Sequence, residues 1–172
     1  TLDDITSRVP EVVSAVLELI RAAGSVSRAE LARRSGLSKP TVSQALTGLL
    51  ESSLVREVGR ESGRKGPGAL LYELNPESGW VVGLDVGRQW VRAALADITG
   101  RIVARRDERT RARSAATLVE QIGRIGPDVA ADAGLAWGQV THTTVGNPGV
   151  LDPSRGLLAL APNLPGWGKP GL

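Results

Sequence analysis

The stretch Ser27-Arg28-Ala29-Glu30-Leu31-Ala32-Arg33-Arg34-Ser35-Gly36-Leu37-Ser38-Lys39-Pro40-Thr41-Val42-Ser43-Gln44-Ala45-Leu46-Thr47-Gly48-Leu49-Leu50 decides the first part of the fold. Ser27 followed three residues later by Glu30 is a capping box, and it opens a helix that runs to about Ser35. Gly36 supplies a tight turn, because glycine enters the left-handed region without a Cβ penalty. Ser38 then caps a second helix, with Pro40 tolerated in its first turn. Val42, Leu46, Leu49 and Leu50 recur at helical spacing and form one buried stripe. Two helices joined through a glycine-bearing turn predict a helix-turn-helix.

The flanking sequence supports that geometry. Upstream, Val12, Val13, Val16, Leu17, Leu19 and Ile20 predict a helix from Pro10 to Ala23, with Pro10 in its first turn and Gly24 ending it. Downstream, 54–58 and 69–74 read as two strands. Between them lies Gly59-Arg60-Glu61-Ser62-Gly63-Arg64-Lys65-Gly66-Pro67-Gly68, a glycine-rich, basic hairpin tip of the kind a wing has. With the stripe turned inward, Lys39, Thr41, Ser43, Gln44 and Thr47 face outward or sideways. Recognition helices present N-terminal residues to base edges in the major groove of double-stranded DNA. Gln44 suits a bidentate pair with adenine, Lys39 a guanine or a phosphate, and Ser38 and Thr41 phosphates or a thymine methyl. Arg60, Arg64 and Lys65 suit the backbone or a minor groove. Taken one at a time, these polar residues are equally a solvated helix face; the agreement of caps, turn, stripe and wing favours DNA.

Bulk properties narrow the alternatives. Cysteine is absent and His142 is the single histidine, so disulfides, thiolate metal sites and multi-histidine sites are excluded, and no metal site is expected. No apolar run is long enough to cross a membrane, and no basic-then-apolar leader opens the chain; a cytoplasmic protein without membrane partners is expected. The chain contains no Met and begins at Thr1, so its natural start is expected to be missing. Residues 1–80 balance ten bases against ten acids, yet between Arg28 and Lys65 there are eight bases and four acids, an excess able to serve phosphates.

From Trp80 the pattern changes. Asn75-Pro76-Glu77-Ser78-Gly79 has turn chemistry and separates a domain at 1–76 from a second at 80–172. Trp80 to Gly87, Val91 to Asp97 and Arg101 to Arg106 read as strands, with a hairpin turn at Thr99-Gly100. A helix at Ala115 to Arg124, a short helix within Pro127 to Ala133 and a strand at Val140 to Val145 follow. This alternation predicts an α/β layer fold. The five arginines from Arg105 to Arg113 read as a solvated edge and loop, and His142 as structural.

Residues 27–43 resemble the winged helix of ROK-family regulators (repressor, open reading frame, kinase); winged helices of the MarR group are similar. The family's wing often reads Gly-Arg-Pro, where this chain has Gly63-Arg64-Lys65-Gly66-Pro67. The second domain resembles the first lobe of the actin-like ATPase fold of ROK proteins and sugar kinases. Three segments carry that likeness: Asp85-Val86-Gly87, Gly146-Asn147-Pro148-Gly149-Val150-Leu151-Asp152 and Ala161-Pro162-Asn163-Leu164-Pro165-Gly166-Trp167. The resemblance implies a sugar or sugar-phosphate effector, with Gly149 and Val150 lending backbone groups and Asn163 at the pocket edge. Equally, Gly149 permits an unusual turn and Asn163 satisfies a loop. Trp137 and Trp167 suit either a sugar face or a core.

Asp85 and Gly87 stand where the family's phosphate loop begins, but that loop continues Gly-Gly-Thr and here reads Gly87-Arg88-Gln89. A bulky residue is a poor substitute where backbone must approach a phosphate. Asp85 is therefore read first as a strand-end turn residue and second as a remnant. The family's catalytic Asp and zinc-binding cluster lie beyond the matched segments, so no catalytic residue, metal or cofactor is expected. The implied function is a transcriptional regulator, a repressor of sugar metabolism, acting as a homodimer or higher homo-oligomer on a palindromic operator. The alternatives are a ROK sugar kinase carrying a winged-helix extension, a regulator without a ligand, and a dimerisation platform.

Overall fold

The computed structural model describes residues 2–61, 68–111, 114–147, 149–152, 154 and 157–159. The chain divides into two compact units, Thr1–Ser78 and Gly79–Leu172.

In the first unit, α1 spans Leu2–Ala23, β1 Ser25–Ser27, α2 Arg28–Ser35, α3 Lys39–Glu51, β2 Val55–Arg60 and β3 Leu70–Leu74. Helix α1 starts eight residues before the position predicted from Pro10, which lies within the helix rather than opening it. A proline already holds φ near the helical value and removes a single amide donor, so the turns before it can stay helical at the cost of one hydrogen bond and a local kink. The three strands form one antiparallel sheet in the order β1-β3-β2, Val26 facing Tyr72 and Val55 facing Leu74. A register shift between Glu57 and Gly59, where Gly59 has φ 127, interrupts the β2–β3 ladder. The core gathers Val16 and Ile20 from α1, Leu31 from α2, Val42, Ala45, Leu46 and Leu49 from α3, and Val26, Val55, Tyr72 and Leu74 from the sheet. Of the predicted stripe, Leu50 is only half-buried, and Ala45 is buried in addition to Val42, Leu46 and Leu49.

In the second unit, β4 (Trp80–Val86), β5 (Trp90–Asp97) and β6 (Ile102–Arg109) form an antiparallel meander. Helix α4 (Ala115–Asp132) then returns the chain to β7 (Val140–Gly146), which pairs in parallel with β4, giving the order β6-β5-β4-β7. A small pair, β8 (Val150–Asp152) and β9 (Leu157–Ala159), completes the described strands. Alternate residues of β4 and β5 face inward, and Val82, Leu84, Val86, Val91, Ala93 and Leu95 pack with Leu118, Ile125 and Val129 of α4. Helix α4 is continuous where the sequence predicts a break after Arg124. The edge strand β6 is longer than predicted, extending to Arg109.

The arginines of β6 are more than a solvated edge. Arg106 donates to Asp132 at 2.7 and 2.9 Å and to Asp128 at 3.2 Å, and Arg124 reaches Glu108 and Asp128. These pairs tie β6 to α4 and hold the Glu108 and Asp132 carboxyls below their usual range, through hydrogen bonds from Arg124 and Arg106 respectively. The Arg109 guanidinium lies 4.5 Å from the centre of the Trp90 ring.

Candidate nucleic-acid interface

The two helices of the helix-turn-helix are positioned by their caps. The Ser27 hydroxyl accepts from the Glu30 amide at 3.4 Å, which is half of the predicted capping box. The Glu30 carboxylate turns instead to Arg33 and Arg34, with bonds of 2.6 to 2.7 Å. Helix α2 ends at Gly36, whose φ of 69 requires the left-handed region. The Ser38 hydroxyl accepts from the Thr41 amide at 3.3 Å and opens α3 with Pro40 in its first turn. Leu37, in the turn between the two helices, is half-buried.

Hydrogen bonds from Arg33 and Arg34 pull the Glu30 carboxyl down to about 2, from an ordinary 4.5. A depressed folded-state value means that the stabilisation is complete above about 4.5 and is lost as the pH falls toward 2. Replacing Glu30 with Gln is therefore expected to lower the urea midpoint of the first unit at about pH 5.5. The gap to the parent protein should narrow by about pH 3 and shrink with salt, since all three groups are partly exposed. A gap independent of pH would mean that the carboxylate charge contributes nothing there.

The outward face of α3 separates into two kinds of residue. Ser38, Lys39, Gln44 and Thr47 are exposed, whereas Thr41 and Ser43 are half-buried. The Ser38 and Thr41 hydroxyls lie 2.7 Å apart and share one hydrogen bond, and the Ser43 hydroxyl donates to the Lys39 carbonyl at 2.9 Å. Ser43 also accepts from Arg28 Nη1 at 3.3 Å. Thr47 bonds back to the Ser43 carbonyl at 3.0 Å. Among the described residues, the Lys39 and Gln44 side chains make no hydrogen bond or ion pair, so both heads are available to an external partner.

At the wing, Arg60 donates to the Gly68 carbonyl at 3.0 Å and the Glu61 amide donates to the Ala69 carbonyl at 2.8 Å, closing the base of the hairpin. A Cβ at Gly68 would overlap the Glu61 carbonyl, so only glycine permits this approach. Arg56 pairs with Glu73 at 2.7 Å. Arg64 and Lys65, the tip residues named from the sequence, lie outside the described residues.

The candidate effector residues are placed differently. Asp85, near the end of β4, is exposed and meets Arg92 at 3.3 Å. The Gly87 amide donates to the Trp90 carbonyl at 2.9 Å, and Thr110 donates to the carbonyls of Gly87 and Gln89. The turn at 87–89 is thus a closed hairpin whose Gly87 amide is already used. The Gly149 amide donates to the Asn147 side chain at 2.9 Å, and Val150 is 60% exposed. Asn163 and Trp167 lie outside the described residues. Trp137 lies against Gly126 of α4, where a Cβ would come within 2.9 Å of the ring. His142 is exposed on β7, opposite Val81. Among the described residues, no helix is long and apolar enough to cross a membrane.

Residues 9–65 match the MarR family. The xylose repressor of Bacillus subtilis (strain 168) is 36% identical over 78 residues, 45% of this chain and 20% of the repressor. A putative xylose repressor of Caldicellulosiruptor sp. (strain Rt8B.4) is 25% identical over 150 residues, 87% of this chain and 38% of that protein. The crystal structure of a ROK-family transcriptional regulator, a homologue of the E. coli MLC protein, superposes with a TM-score of 0.63 at 20% identity, covering 93% of this chain and 42% of that one. The chain thus spans between a fifth and about two fifths of the length of these proteins. It carries a MarR-type winged helix, is related to xylose repressors, and has the fold of a ROK-family regulator.

Proposed function

We propose that this chain is the DNA-binding unit and the leading part of the effector domain of a sugar-responsive transcriptional repressor of the ROK family. The carrying observation is the recognition surface: α3 is capped and fixed by its neighbours, while the heads of Gln44 and Lys39 stay exposed and unpartnered among the described residues. Gln44 reads an adenine, Lys39 takes a guanine or a phosphate, and Ser38, Thr41 and Ser43 set the helix against the backbone. Arg60, Arg64 and Lys65 make the wing contacts. The protein works in the cytoplasm as a homodimer on a palindromic operator, because half-site spacing then couples affinity to the placement of two winged helices.

The effector is a small sugar, a pentose being the first to test because the relatives are named xylose repressors. Val150 and Asn163 are its nearest candidates. Gly149 shapes the turn, its amide being committed to Asn147. Effector binding shifts the equilibrium between operator-competent and incompetent arrangements, by no more than its differential affinity for the two. We assign no enzyme activity to this chain, since the 87–89 turn is a closed hairpin that carries Arg88 and Gln89.

The test is fluorescence anisotropy on DNA selected from a random pool, at two salt concentrations and with and without xylose. Gln44→Ala is expected to relax discrimination at one base pair by about 1–3 kcal/mol. Neutralising Arg64 and Lys65 together should weaken all sequences and flatten the salt dependence by about 0.9 for each phosphate left without its cation. Failure to select any sequence would sink the proposal; selection of a site without a xylose response would leave the DNA-binding reading and remove the pentose.

A further inference from the structure

The cations of the winged helix are not equivalent. Arg33 and Arg34 are bound to Glu30, and Arg56 to Glu73. Arg60 is bonded across the wing base to Gly68. Arg28 and Lys39 differ, since neither has a carboxylate partner among the described residues. Arg28 is the first residue of α2, exposed, and its described contact is Nη1 to the Ser43 hydroxyl on α3, 3.3 Å away and 15 residues on in sequence.

That contact places the guanidinium against the first two turns of α3. The Ser43 hydroxyl is itself bonded to the carbonyl of Lys39, and Gln44 follows Ser43 in the chain. An arginine carries five donors in a planar fork, and the Ser43 contact uses one. The other donors make no described hydrogen bond, and Arg28 is exposed beside the N-terminal turns of the recognition helix, where a duplex backbone passes when that helix enters the major groove. A positively charged head without an internal counter-ion at that place has a phosphate as its natural partner.

Resting on the DNA-binding reading above, we propose that Arg28 is a second anchoring residue of the interface. Through Ser43 it holds α3 at its angle to α2, and with its remaining donors it binds one DNA phosphate. It therefore acts as a positioning residue for Gln44 and as a backbone contact of its own.

The two roles separate in a variant set measured on the selected operator with the full chain: Arg28→Ala, Arg28→Lys, Ser43→Ala and the Arg28→Ala/Ser43→Ala pair. Arg28→Ala is expected to weaken binding about tenfold or more and to reduce the slope of log affinity against log salt by about 0.9, the increment of one phosphate. Arg28→Lys keeps the charge and should keep the slope, while losing the fork that spans Ser43 and the phosphate. Ser43→Ala should leave the slope unchanged but reduce discrimination at the base pair that Gln44→Ala affects. Circular dichroism of each variant establishes that it is folded. An unchanged slope in Arg28→Ala, with the parent protein still binding its operator, overturns the phosphate contact alone. Full discrimination in Ser43→Ala overturns the positioning role. Absence of any operator binding by the parent overturns the function and this inference together.

Discussion

Leu49→Ala is expected to destabilise the winged helix by about 2–5 kcal/mol. Leu49 is 1% exposed and lies on the stripe of α3 that packs toward α1, α2 and β2. Its removal forfeits the transfer energy of the side chain and leaves a cavity that two capped helices and a short sheet cannot easily close. The backbone around it is committed as well: the Leu49 carbonyl accepts from the Leu54 amide at 3.0 Å and the Ser52 hydroxyl at 3.1 Å, which fixes the turn into β2. A domain held by about 5–15 kcal/mol cannot absorb such a loss without a large shift in its unfolding midpoint. Urea titration followed by far-ultraviolet circular dichroism, to which this unit contributes α1, α2 and α3, measures it. Operator affinity at a urea concentration near the new midpoint should fall with the folded fraction. A change below about 0.5 kcal/mol, the range of a surface substitution, would show that Leu49 is not in the core of this unit.

The winged helix is legible because its signals are local. Ser27 and Ser38 stand one residue before α2 and α3, and Gly36 occupies the turn position whose φ excludes most side chains. A side-chain cap or a left-handed glycine acts within about four residues, so a sequence displays it directly. Strand β1 has no such signal. Its residues gain their conformation from pairing with β3, far along the chain, and so short a strand shows no period. The turns of α1 before Pro10 escape a sequence reading because proline marks a helix start, a frequent but not exclusive use of that residue.

The candidate interface follows the same division. Gln44 and Lys39 can be named from helical periodicity, since that pattern tells which side of α3 is not core. What Ser43, Thr41 and Ser38 do with their hydroxyls depends on neighbours that periodicity does not name. The Arg28–Ser43 contact joins two helices across a turn and has no sequence signature. In the second unit, motif likeness points to Asp85, Gly87 and Gly149, but not to the bonding of the Gly87 and Gly149 amides within their own turns.

Helix α4 gives the second large effect, and the same reasoning explains why its sequence predicts two pieces. Within α4 stand Gly123, Gly126 and Pro127, which are together less favourable than alanine by about 5 kcal/mol in a helix interior. Local propensity therefore argues for a stop near Arg124, and tertiary packing overrides it. Leu118, Ile125 and Val129 are at most 1% exposed against the inner face of β4 and β5, and Arg124, Asp128 and Asp132 fasten the outer side to β6. A helix that stands on its packing rather than on its own preference should be unusually sensitive to a cavity beneath it. Ile125→Ala is expected to cost about 2–5 kcal/mol and Ile125→Val about 0.5–1.5 kcal/mol. The alanine variant should also lose helical dichroism beyond that of one turn, because Gly123 to Pro127 cannot remain helical unsupported. Tryptophan fluorescence follows the second unit selectively, since all four tryptophans (Trp80, Trp90, Trp137 and Trp167) belong to it. Combining Ile125→Ala with Gly123→Ala separates the causes. If packing compensates for poor propensity, Gly123→Ala should return about 1 kcal/mol; if it returns nothing, the loss at Ile125 is cavity formation alone.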